Sequence, residues 1–142
     1  MKAYVRTGRI FLVKVEEGEH PHRAIEEILS SQDIKAAWIT GIGGFSWARI
    51  GVFDPSAKKY DVVDVEPVEG HVLEVASIKG NSIVGGDERY YTHLHVTIAR
   101  QTSEVYAGHL VDAHVSPFLE ILVAELVGDY KSISGMFSHR WS

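Results

Sequence analysis

The stretch THLHVTIARQTSEVYAGHL contains three imidazole side chains at a spacing that could hold a metal ion. His93 and His95 are two residues apart, and His109 follows in a second predicted strand. Because alternate residues of a β-strand point to one face, we expect His93 and His95 to share a face and Leu94 to point to the other. Three neutral imidazoles that leave a fourth position to water form an open site for zinc, nickel or iron.

The position of His109 depends on the turn between the two strands. A three-residue turn, 101–103, would place His109 directly opposite His95, with all three imidazoles on one face. A two-residue turn would move His109 to the apolar face, opposite Val96. The first register is the better one, because it also brings suitable partners together. Its cross-strand pairs are Leu94 with Leu110, Val96 with Gly108, Ile98 with Tyr106, and the opposite charges of Arg100 and Glu104.

We therefore predict that His93, His95 and His109 are the ligands of a divalent transition metal, with zinc as the expected ion. The alternative is that the three histidines line a polar surface or a subunit contact, each with its own hydrogen bonds. His114 lies beyond the predicted end of its strand, and we expect it to lie outside the site.

Two glutamates and a glycine cluster are further candidates. Glu74 lies within HVLEVASI and Glu120 within FLEIL, and a carboxylate in an apolar stretch needs a partner. Each could bind a cation, act as a general base, or pair with an arginine across an interface. The GIGG segment at 41–44 lacks the third glycine of a dinucleotide-binding fingerprint, since that position is Ser46. It predicts close backbone packing or a bulge instead.

The composition excludes several other kinds of site. The chain has no cysteine, which excludes disulfides, thiolate metal sites and cysteine nucleophiles. Its net charge is −5 and its basic pairs, His22–Arg23, Lys58–Lys59 and His139–Arg140, are short and scattered, so we do not expect direct DNA binding. The N-terminus lacks signal-peptide features and no apolar run is long enough to span a membrane, so we expect a cytoplasmic protein.

The pattern of the 142 residues predicts a single domain, 1–142, of the α+β class. We expect a large, mostly antiparallel β-sheet, one clear helix at about residues 21–31, and short hairpin connections. Pro21 suits the first position of that helix. The segment 35–54 predicts either two strands or one strand bent at its glycines, and 80–92 predicts the longest loop. SPFLEILVAELVGDY fits a helix or a strand, and we favour a strand.

The predicted sheet is too apolar to be covered by one helix. The stretches KAAWITGIGGFSWARIGVF and FLEILVAELV are apolar at consecutive positions, which indicates burial on both faces. A monomer would expose an apolar patch larger than a few hundred Å². We therefore expect the chain to associate with copies of itself in a closed, symmetric oligomer.

From about Arg9 to Val127 the sequence resembles the plant and prokaryote conserved (PPC) domain. The motifs that carry the resemblance are EVASIKGNS, HLHVTIA and GHL, preceded by LVKVEEGEHPHRAIEEI and WITGIGGFSWARIGVFD. The resemblance implies an α+β fold around an antiparallel sheet, and a homotrimer. It also places the family's histidines on His93, His95 and His109, where some members hold a metal.

In plants this domain is joined to AT-hook segments of nuclear DNA-binding proteins, in which the AT-hook reads the minor groove and the PPC domain mediates assembly. The Arg-Gly-Arg-Pro core of an AT-hook does not occur in this sequence, so the resemblance is to the stand-alone prokaryotic form. We therefore expect a trimeric binding or assembly module with a three-histidine metal site. The alternative is a metal-dependent enzyme of unknown substrate, with a metal-bound water and Glu74 or Glu120 as the base.

Overall fold

The chain forms one strongly curved antiparallel sheet and two helices. The structure, a computed structural model, describes residues 1–137. No helix within these residues is long and apolar enough to cross a membrane. The elements in chain order are β1 (Val5–Glu16), α1 (Pro21–Ser31), β2 (Ala36–Asp54), β3 (Lys59–Val65), β4 (Leu73–Val84), β5 (Tyr90–Gln101), β6 (Glu104–Gly128) and α2 (Tyr130–Phe137).

The sheet closes on itself because its two longest strands pair with each other. The strand order is β1-β6-β5-β4-β2-β3, and β6 also pairs with β2. The β2–β6 register runs from Ala37 opposite Glu125 to Gly51 opposite His109. On its other side, β6 pairs first with β5 and then with β1. Strands β2, β4, β5 and β6 therefore form a closed ring, and β1 and β3 extend it.

The core fills the inside of this ring. Alternating apolar residues of the strands are fully buried there, among them Leu94, Ile98 and Leu110. Helix α1 begins at Pro21 and packs Ile25 and Leu29 against the same core. Helix α2, which the sequence pattern did not predict, packs Ile133 in a separate small cluster with Ala36 and Ile83. The α+β class and the predicted helix are confirmed.

The outer face carries a continuous row of cross-strand partners. Leu12 lies opposite Leu122, and Leu122 lies opposite Thr40. Thr40 pairs with Lys79, and Lys79 pairs with His95. With strands about 4.8 Å apart, Leu122 and His95 are roughly 14 Å apart along this row. The row therefore joins an apolar part of the outer face to the histidines.

Several predicted elements differ in extent. The segment 35–54 is one strand with a register shift at Gly41–Gly43, which confirms the bent single strand. The predicted loop at 80–92 is much shorter, because Ile83 and Val84 pair with Tyr91 and Tyr90. The stretches EVYAGHLVDA and SPFLEILVAELV belong to one 25-residue strand, β6. The favoured strand at SPFLEILVAELV is thus confirmed, but the break before it is not present.

Candidate metal centre

Strands β5 and β6 bring the three predicted histidines together on the outer face. His95 is the direct partner of His109 across the hairpin, as the apolar pattern predicted. Val96 opposite Gly108 and Ile98 opposite Tyr106 are confirmed in the same register. One ring nitrogen from each of His93, His95 and His109 lies within 4.8 Å of those of the other two.

The turn that produces this register is not the predicted one. Gln101 pairs with Glu104, so the turn has two residues, 102 and 103. The register shifts between Ala99 and Gln101, which leaves Arg100 as a bulge. Because the bulge adds one residue to β5, His95 still lies opposite His109, as it would with a three-residue turn. Arg100 still donates a hydrogen bond to the Glu104 carboxylate at 3.2 Å.

The geometry of the three imidazoles fits a small metal ion. The Nε2 atoms of His93 and His95 are 3.1 Å apart. Two nitrogens bound tetrahedrally to zinc at 2.0–2.1 Å lie about 3.4 Å from each other. The remaining separations, up to 4.8 Å, can close by small side-chain rotations. His93 and His109 are half-buried, while His95 is exposed, so the open side of the site faces solvent.

The site is packed on one side and open on the other. On the next strand, Lys79 lies opposite His95 and the buried Asn81 lies opposite His93. On the far side of β6, Gly51 of β2 lies opposite His109. The Tyr60 ring stacks on the His109 ring, with centroids 4.3 Å apart and planes 18° from parallel. Sequence reasoning missed Tyr60, because no spacing rule links β3 to a strand that it does not pair with.

The other sequence-predicted residues lie elsewhere. Glu74 and Glu120 line a shared pocket of about 470 Å³ beside Pro117. On β4, Glu74 is five residues from Lys79, or roughly 16 Å along the strand. Among the described residues, the cluster that could hold a metal contains neither glutamate.

His114 belongs to a second polar group on β6. It lies within the strand rather than beyond its end, and its ring contacts those of His20 and Trp47 at 4.8 and 5.1 Å. The His20 Nδ1 donates to Asp112 at 2.9 Å. Burial raises the pKa of Asp112, but hydrogen bonds from His20 and a backbone N–H outweigh it and hold the pKa below its ordinary value. This group ties the start of α1 to β6.

Comparisons with known proteins agree with this architecture. The family model of the Plants and Prokaryotes Conserved (PCC) domain, the PPC domain of the sequence analysis, matches residues 2–127. A plant- and prokaryote-conserved protein of Pyrococcus horikoshii is 30% identical, with a TM-score of 0.82 and coverage of 91% of this chain and 86% of that chain. A comparison with curated protein sequences found no match.

Two further solved structures are similar. A metal-containing protein of Archaeoglobus fulgidus is 33% identical, with a TM-score of 0.80 over 90% of this chain and 86% of that one. A protein of Bacteroides thetaiotaomicron that has been proposed to bind DNA is 23% identical, with a TM-score of 0.72 over 85% and 83% of the two chains. At 23% identity, the similarity to the Bacteroides thetaiotaomicron protein shows a shared fold only.

Proposed function

This chain belongs to the Plants and Prokaryotes Conserved domain family, and we propose that it is a metal-binding assembly module of that family. Three copies form a homotrimer, and each copy holds a divalent transition metal, zinc, between His93, His95 and His109. The zinc supplies a fixed cross-link between β5 and β6 and a positive charge on the outer face.

The convergence of three imidazoles is the observation that carries this proposal. Two adjacent strands direct the side-chain nitrogens of His93, His95 and His109 to one place, within 4.8 Å. An all-imidazole donor set suits zinc and excludes the oxygen-rich coordination that calcium and magnesium require. The 33% identical relative from Archaeoglobus fulgidus is a metal-containing protein, which supports the same assignment.

Metal analysis of untagged protein tests the site. We expect about one zinc per chain in the wild-type protein after purification and dialysis. A variant with His93, His95 and His109 all changed to alanine should lose that zinc. His71→Ala is the matched control, because His71 is an exposed histidine outside the three-histidine group, with its Nδ1 3.0 Å from the Glu69 backbone oxygen. Equal zinc content in the triple variant and the control would contradict the proposal.

The trimer is supported by the apolar part of the outer face. Leu12, Ile42 and Leu122 are 85%, 55% and 37% exposed, values that are high for large aliphatic side chains. They line an open groove of about 780 Å³ formed by β1, β2, β4 and β6. Contact between copies through this face would bury these three side chains. It would also bring a neighbouring subunit close to His93, His95 and His109.

A metal-dependent enzyme is the second candidate. The exposure of His95 favours it, because a ligand could reach the metal from solvent. The composition of the histidine group favours the module, because among the described residues it includes no carboxylate to act as the base, neither Glu74 nor Glu120. Zinc-loaded protein and the triple alanine variant should therefore hydrolyse 4-nitrophenyl acetate equally slowly. A zinc-dependent rate that the variant lacks would favour the enzyme.

Direct DNA binding is not part of the proposal. The net charge is −5, and a protein that binds through phosphates usually presents a basic face. We expect no retention of the protein on duplex DNA at low salt. Retention that falls steeply as salt rises would show a phosphate-binding surface and would contradict this expectation.

A further inference from the structure

Tyr60 reaches the histidines from a strand that does not pair with theirs. It lies in β3, opposite Phe53 of β2, and its ring meets the Phe53 ring edge-on with centroids 5.4 Å apart. On the other side the Tyr60 ring stacks on His109 at 4.3 Å. His109 in turn lies 5.0 Å from His93, measured between ring centroids. The metal site is therefore the end of a ladder of four rings.

A glycine makes this contact possible. Gly51 of β2 lies between Val62 of β3 and His109 of β6. A Cβ at position 51 would lie 3.2 Å from the Tyr60 Cβ and 3.1 Å from a Val62 methyl group. Because Gly51 has no side chain, the Tyr60 ring can extend across β2 and lie flat against the imidazole.

The stack has two physical effects on His109. It restricts rotation of the ring about its Cβ–Cγ bond, so the nitrogen that faces His93 and His95 stays in place. It also places the electron-rich face of a phenol against an imidazole that gains positive charge when it binds a metal. A cation over an aromatic face is attracted more strongly than a neutral ring. Both effects favour the metal-bound state over the free one.

We propose that Tyr60 is a positioning residue of the metal centre, which holds the His109 imidazole in its ligating orientation through ring stacking across Gly51. This inference rests on the proposed zinc site and deepens it. The contribution comes from the aromatic face, so it should survive loss of the hydroxyl and disappear with loss of the ring.

Zinc titration of three proteins in competition with a chromophoric chelator tests the inference. Tyr60→Phe should bind zinc as the wild-type protein does. Tyr60→Ile, which keeps an apolar, strand-favouring side chain, should bind zinc between about threefold and thirtyfold more weakly. Val62→Ala, a change in the same strand, is the control for general damage to β3 and should keep wild-type affinity. Tyr60→Thr replaces Tyr60→Ile if the latter is not recovered folded.

Cobalt substitution gives a second readout that a change in stability alone would not move. The visible absorption of bound Co²⁺ reports ligand geometry, so its bands should shift in Tyr60→Ile and remain unchanged in Tyr60→Phe. Equal zinc affinity and equal cobalt spectra in wild type and Tyr60→Ile would overturn the inference alone. Absence of zinc binding by the wild-type protein would overturn the site itself and the inference with it.

Discussion

Ser82 and Thr92 form a short polar connection beneath helix α1. The Ser82 hydroxyl is fully buried and lies 2.8 Å from the Thr92 hydroxyl, which donates to the Glu26 carboxylate at 2.8 Å. Thr92→Val removes the central member and leaves a buried hydroxyl without its partner. We expect a loss of about 1–3 kcal/mol in the free energy of unfolding. Urea denaturation measures it, and Thr7→Val, at an exposed position of β1, should change the value by less than about 0.5 kcal/mol.

His22 makes the stability of the fold depend on pH. Burial lowers its pKa below the ordinary value, outweighing the attraction of Asp112 and the hydrogen bond to the Leu110 backbone, while His20 lowers it further. Between the folded and unfolded pKa values, His22 is therefore protonated in the unfolded chain and neutral in the folded chain. The stabilisation is fully present above about pH 6.5 and is lost as pH falls through the lower folded pKa.

The measurement is urea denaturation of metal-free protein at pH 7 and at pH 5. We expect the wild-type free energy of unfolding to fall over this range, and His22→Asn to show a smaller fall. His71→Asn changes an exposed histidine and should keep the wild-type dependence. If both variants lose stability as steeply as the wild-type protein, His22 is not the source of the pH dependence.

At the scale of elements, the packing of β4 against β5 leaves no room for a side chain at Gly80. A Cβ at this position would lie only 1.8 Å from the His93 carbonyl oxygen, so Gly80→Ala must push the two strands apart. We expect a loss of at least about 2 kcal/mol in the free energy of unfolding, and weaker zinc binding because His93 moves with its backbone. Gly86→Ala has no atom within 4 Å of the new methyl group and should leave both measurements near the wild-type values.

The elements that sequence reasoning found are those whose side-chain pattern is local. The period of α1 and the alternation in THLHVTIA depend only on neighbours along the chain, and both were predicted correctly. The pairing of His95 with His109 was also predicted, because the apolar partners distinguish the two registers. The bulge at Arg100 was not predicted, since a two-residue turn with a bulge and a three-residue turn give the same partners from His95 to Ala99 and differ only beside the turn.

The features that sequence reasoning missed depend on which strand is the neighbour in the sheet. The strand that carries His109 was predicted to end before His114, whereas β6 continues through Pro117 to Gly128. Proline cannot donate a hydrogen bond to a sheet. In the structure Pro117 lies in the short stretch where β6 has finished pairing with β5 and begins to pair with β1 at Phe118, so the missing donor is tolerated. The polar segment Asn81–Ser82 was assigned to a loop, but its serine hydroxyl finds Thr92 across the sheet. Neither partner can be identified from the local sequence.

At the scale of the whole molecule, the closed ring changes which surface we expect to associate, but we still expect the chain to form an oligomer. The sheet covers its own inner face, so the exposed apolar surface through which we expect copies to associate is the outer groove around Leu12, Ile42 and Leu122. We expect light scattering at micromolar concentration to give about three times the chain mass of 15.8 kDa. A stable monomer across a dilution series would contradict the proposed trimer.

A charge in the groove should prevent that assembly. Leu12→Glu places a carboxylate at a position that is 85% exposed in the single chain, so the monomer should fold normally while the mass by light scattering falls. Val105→Lys is the matched control, since Val105 is also an exposed aliphatic residue, at 59%, but lies in the β5–β6 hairpin. Both variants keeping the wild-type mass would show that the groove is not the contact surface.

The pairing of β6 with β1, β2 and β5 also sets the order in which the protein can fold during synthesis. Strand β1 leaves the ribosome among the first residues, but its partner in the sheet, 118–128, is among the last of the described chain to be made. Pairs so distant in sequence form slowly, since a long loop must close before any contact stabilises it. Until β6 emerges, β1 and β2 lack their common neighbour and expose apolar edges. The nascent chain is therefore most exposed to aggregation in the interval before β6 is complete.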